Sequence, residues 1–125
     1  FQRKSPQTCP SALPLQPIKK EISKMLILNI TSKVLHHIAK EWQKWTQDNW
    51  IPMMMKTGLF SSYRFCKLRD NDDDEGQMFV VQFHCDSEED YHSFINEYDE
   101  TIRNEAYKQF GNNFISFRTL MEVID

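Results

Sequence analysis

The 125-residue chain predicts an α+β domain built as a four-stranded antiparallel sheet with two helices on one face. Two kinds of periodicity carry that expectation. Four runs are rich in β-branched, aromatic and other apolar residues at the alternating period of a strand. Two longer runs repeat apolar residues every three or four positions, the period of a helix. Their order along the chain is β-α-β-β-α-β, and strands joined in that order pair antiparallel with the helices on one side.

Residues 1–24 stand apart from this pattern. Pro6, Pro10, Pro14 and Pro17 interrupt any regular element, and apolar residues are sparse. The segment reads as a disordered basic tail, or as a non-native extension upstream of Met25; a tail that recruits a partner is the alternative. It lacks the apolar core of a secretory signal. Residues 25–125 then make a single domain, long enough for an ordinary core.

Residues 25–31 (MLILNIT) read as the first strand, and Thr31 or Ser32 as the cap of the helix that follows. In that helix Leu35, Ile38, Trp42, Trp45 and Asn49 form the inward stripe. In residues 50–60 (WIPMMMKTGLF), Pro52 suits the first turn of a new helical segment and Gly58 the left-handed residue that ends it. Residues 59–68 read as the second strand, 70–76 (DNDDDEG) as a turn, and 77–85 as the third strand. Ser87 followed by Glu88, Glu89 and Asp90 marks a helix start. Tyr91, Phe94, Ile95, Tyr98, Ile102, Ala106 and Phe110 make its stripe, with a kink after Tyr98, and Gly111 stops it. Residues 114–123 are the fourth strand. The whole is the split βαβ, or ferredoxin-like, arrangement.

Strand three places Phe79, Val81 and Phe83 on one face and Met78 and Val80 on the other. Strand four places Ile115, Phe117, Met121 and Val123 opposite Phe114, Leu120 and Ile124. Two helices cover one face only. The second apolar face predicts a homodimer in which two sheets pack together.

Several chemistries are absent from the pattern. Met53, Met54 and Met55 are consecutive, so on a helix they diverge by about 100° per residue and cannot share one copper ion. His36 and His37 fail as a metal pair for the same reason, and no metal site is expected. The acidic run from Asp70 lacks the Gly and Glu positions of a calcium-binding loop. Gly58, Gly76 and Gly111 all fall at element boundaries, leaving none for a phosphate cradle, and no nucleotide or other cofactor is expected. The net charge is −3 overall; residues 1–24 carry +4, so the domain carries −7 and offers no basic surface for nucleic acid. No apolar run is long enough for a membrane helix. Cys9, Cys66 and Cys85 are odd in number and lack a C-x-x-C spacing, which points to a reducing, cytoplasmic setting.

What remains is an aromatic-rich space between the first helix and the sheet. Trp42, Trp45 and Trp50 come from the helix side, and Asn29, Arg64, His84 and Arg118 are the polar groups available from the strands. An apolar pocket with a few polar groups is the usual small-ligand site; the alternative is a filled tryptophan core.

Residues 25–125 resemble a family of short uncharacterised bacterial proteins that carry a domain of unknown function. The resemblance rests on the MLILNIT start, the W-I-P and T-G-L-F of residues 50–60, Phe110-Gly111, and the closing F-x-T-L-x-E-x-I-D of residues 117–125. It implies a ferredoxin-like domain and brings no activity. More remotely, the layout is similar to the dimeric α/β-barrel proteins, which include cofactor-free monooxygenases, haem-degrading enzymes and small isomerases; their active-site constellations do not map onto this chain. Two functions are therefore expected to compete. One is a small cytoplasmic homodimer that binds a partner or ligand without catalysis. The other is a cofactor-independent monooxygenase or isomerase acting on a small aromatic or enolic molecule.

Overall fold

The computed structural model describes residues 24–70 and 75–125. The tail assigned to residues 1–24 lies, apart from Lys24, outside the described residues, as do Cys9 and the centre of the acidic turn. The elements are β1 Leu26–Leu35, α1 Ala39–Trp45, α2 Ile51–Lys56, β2 Ser62–Lys67, β3 Gly76–Cys85, α3 Glu88–Glu97, α4 Asp99–Phe110 and β4 Phe114–Glu122. The strands form one antiparallel sheet in the order β2-β3-β1-β4. This is the expected ferredoxin-like fold, with each of the two expected helices divided into two segments.

β1 is longer than the sequence suggested. Leu26, Leu28, Ile30, Ser32 and Val34 are all buried on one face, so the alternation runs through Ser32 and Lys33. Ser32 tolerates burial because its hydroxyl shares a 2.7 Å hydrogen bond with Ser116 on β4, directly across the ladder. Thr31 and Ser32 therefore cap nothing. A short 3₁₀ turn, His36–Ile38, leads into α1, which has no side-chain cap.

The buried stripe of the first helical region is Ile38, Trp42, Thr46 and Trp50, a strict spacing of four. The expected stripe differs: Leu35 ends β1 and Asn49 is exposed, while Thr46 takes an inward place. On an α-helix a four-residue step overshoots by about 40°. A wider π turn at Thr46–Trp50 absorbs the drift, its bond running from the Ile51 N–H to the carbonyl of Thr46, five residues back. Pro52 has no N–H for the carbonyl of Asp48, which favours a widened turn at this point. α2 then ends as expected at Gly58, whose φ is 76°. Of the three methionines only Met54 is buried; Met53 and Met55 lie at the margin of the core.

β2 begins at Ser62, three residues later than expected, because Phe60 turns inward to pack on Phe83 and Phe94. Ser87 caps α3, accepting a hydrogen bond from the Asp90 N–H at 3.1 Å. The kink falls at Tyr98, whose φ of −124° ends α3 and turns its ring outward, against the expected stripe. Gly111, at φ 61°, ends α4.

Every helix lies on the face that carries Leu28, Val81 and Phe83. On the other face β3 presents Met78, Val80, Gln82 and His84, and β4 presents Ile115 and Phe117, which remain 52% and 59% exposed. Across its middle runs a polar row set by the register: Arg64, Gln82, Asn29 and Thr119. Gln82 donates to Asn29, and Asn29 donates to Thr31.

Candidate functional site

Trp42 is the centre of the packing from which the site grows. It is 1% exposed, and its ring sits 5.0 Å from Phe79 and 6.2 Å from Phe114. Rigid rings of this size meet edge-on or tilted and leave gaps that flexible side chains would fill. One gap persists as a cavity of about 120 Å³. Trp42, Trp45 and Trp50 wall it from the first helical region. Arg103 and Tyr107 wall it from α4, and Phe114, Ser116 and Arg118 from β4. Trp45 stands edge-on to Phe110 at 5.6 Å, and Tyr107 stacks on Phe114 at 5.3 Å.

The polar side of the cavity is an ion cluster. Asp99 opens α4 and is 7% exposed. Its Oδ1 accepts from Arg118 Nη2 at 2.5 Å, and its Oδ2 pairs with Arg103 Nη2 at 3.4 Å. One carboxylate thus holds two guanidinium groups, and the cluster keeps a net positive charge. Ser116 also lines the space, but its hydroxyl is engaged by Ser32. Trp42 Nε1 and Thr46 Oγ1 are buried without a hydrogen-bond partner among the described residues.

The sheet divides the residues that sequence reasoning placed in one pocket. Trp42, Trp45, Trp50 and Arg118 meet at the cavity. Asn29, Arg64 and His84 project from the opposite face, because their strand parity is that of Ile27, Cys66 and Val80 rather than of Leu28, Phe65 and Phe83. Arg103, Tyr107, Ser116 and Asp99 were missed. A signal existed for two of them: Arg103 follows Asp99 by four residues on one helix, and Ser116 shares the inward parity of Phe114. Among the described residues, no three His, Cys, Asp or Glu side chains are grouped to hold a metal ion.

Cys85 and Cys66 are free thiols. Cys66 pairs with Val80 across the ladder, on the opposite strand face from Cys85. Burial pushes the Cys85 thiol above its ordinary range, and its Sγ donates to the carbonyls of Ser87 and Leu59 at 3.3 and 3.5 Å. Among the described residues no helix is long and apolar enough to cross a membrane.

The fold recurs in proteins of very different sequence. A dimeric ferredoxin-like protein from an uncultured marine organism is 10% identical, with a TM-score of 0.59 over 82% of this chain and 97% of its own. An EthD-like protein from Ralstonia eutropha is 15% identical, with a TM-score of 0.59 over 82% and 95%. SnoaB, a cofactor-independent oxygenase from Streptomyces nogalater, is 11% identical, with a TM-score of 0.57 over 80% and 94%. At such identities the likeness is one of fold. No curated protein matches the chain by sequence. The sequence of residues 25–124 does match a family, and the chain belongs to it: the domain of unknown function DUF4286.

Proposed function

We propose that residues 25–125 form a homodimeric module that binds a small molecule in the tryptophan-walled cavity without catalysing its conversion. The observation that carries this reading is the cavity itself. It stays open among three indole rings, and apolar cavities near 150 Å³ hold a benzene-sized guest. Dimerisation through the second sheet face fits the exposure of Ile115 and Phe117 and the dimeric state of the marine ferredoxin-like protein. A cytoplasmic setting fits Cys66 and Cys85 as thiols. The tail of residues 1–24 belongs outside the binding unit.

The second reading, a cofactor-independent monooxygenase or isomerase, draws its support from SnoaB. Such chemistry needs a base within reach of a substrate proton. The cavity lining includes neither a histidine nor a carboxylate, and Asp99, the nearest acid in the cluster, is engaged by two arginines. Binding is therefore preferred over catalysis.

A thermal-shift screen of small aromatic molecules tests the cavity, repeated on Trp45→Ala. A bound guest raises the melting temperature in proportion to the logarithm of its concentration over Kd. The reading stands if some guests stabilise the protein and Trp45→Ala changes which ones do. It falls if none shifts the transition at millimolar concentration. Light scattering tests the dimer: a mass of one chain at micromolar concentration overturns it.

A further inference from the structure

We infer that the cavity selects a planar anion, a carboxylate carried on a single aromatic ring, and that Arg118 recognises its charge. The inference rests on the cavity being a ligand site, as proposed above. Its basis is a mismatch between donors and acceptors. Arg103 and Arg118 both line the space but share the single carboxylate of Asp99. A guanidinium carries five donors, and the short contact to Asp99 occupies one of those on Arg118. Ser116 is already bonded to Ser32.

The side chains around the cavity thus bring spare donors and a net positive charge. A cation would meet two guanidinium groups. A neutral hydrocarbon would offer no acceptor to the guanidinium donors that Asp99 leaves over. A guest with one negative charge and two acceptor oxygens answers both needs, and the flat indole and phenol walls suit a ring. Asp99 then acts as a positioning residue, holding the Arg118 guanidinium against the cavity.

Benzoate and benzamide test this, because they share a shape and differ in charge at pH 7. Titration followed by tryptophan fluorescence should show benzoate binding at least about tenfold tighter, the usual size of a charge-assisted hydrogen bond. Arg118→Gln should abolish that preference, bringing benzoate affinity down to that for benzamide. Equal affinity of the native protein for both compounds overturns anion selection while leaving the cavity a ligand site. Binding of neither overturns the cavity reading and this inference together. An Arg118→Gln protein that still prefers benzoate removes Arg118 from its role. Should Arg118→Gln lose both guests, Arg118→Lys decides: a restored benzoate preference supports the inference, and no preference overturns it.

Discussion

On β3, Phe79, Val81, Phe83 and Cys85 face the helices, and none is more than 2% exposed. Met78, Val80, Gln82 and His84 alternate with them and lie only half-buried on the other side. The same backbone therefore supports a closed face and an open one. The closed face completes its burial within the chain, through Trp42, Phe60 and Phe94. The open face keeps apolar side chains, Ile115 and Phe117 among them, exposed beside a polar row. The cavity belongs to the closed face, at the β4 side, where exposure rises from Phe114 toward Leu120 as helix cover thins.

This contrast can be broken from either side. Trp42→Ala should have the largest effect, about 3–5 kcal/mol of lost stability, because it removes the ring that several others pack on. Urea unfolding measures it; a loss under about 1 kcal/mol would mean that the closed face is not the stabilising one. If the proposed homodimer pairs through the open face, Phe117→Asp should convert it to a monomer in light scattering while near-ultraviolet dichroism of the tryptophans stays native. A dimer that survives places the interface elsewhere.

Neighbouring residues on β1 sharpen the comparison. Ser32→Ala should cost about 1–2 kcal/mol, since it strands the Ser116 hydroxyl in a part-buried position. The double change Ser32→Ala with Ser116→Ala should recover part of that loss. Thr31→Ala, one residue away on the open face, should stay within about 0.5 kcal/mol in the monomeric Phe117→Asp background. Similar costs at both positions would erase the distinction between the faces.

The smallest effect concerns Cys85. Its thiol is buried and its pKa raised, so iodoacetamide at pH 8 should leave it unmodified until the protein unfolds, as peptide mass analysis will show. The sign follows from the raised value. The stabilising contribution is complete below the ordinary thiol pKa and is lost as pH rises through the higher folded one. Labelling of Cys85 in the native state would contradict a closed end to β3.

How much of this was legible in the sequence varies by element. The third strand, the Ser87 cap, Pro52 and Gly58 were readable because each is a local preference: alternation, a hydroxyl on a free N–H, a fixed φ and a positive φ. The second half of β1 was not, because Ser32 looks like a cap until Ser116 is seen across the ladder, 84 residues away. An α-helical period turns Asn49 inward, because it cannot anticipate the π turn that moves Asn49 to the surface. The candidate site was half legible. Aromatic content pointed to Trp42, Trp45 and Trp50, and Arg118 lay within reach, whereas Asn29, Arg64 and His84 belong to the other side of the sheet.

By itself the sequence determined the order of strands and helices, the points where the chain turns, and the presence of more apolar strand surface than two helices can cover. Those properties follow from local sterics, hydrogen bonding and period. Only the tertiary structure decided which face each strand turns to the helices, where aromatic rings fail to fill the core, and that Asp99 is shared by Arg103 and Arg118. Those depend on register between distant segments, and a shift of one residue moves every side chain of a strand to the other face.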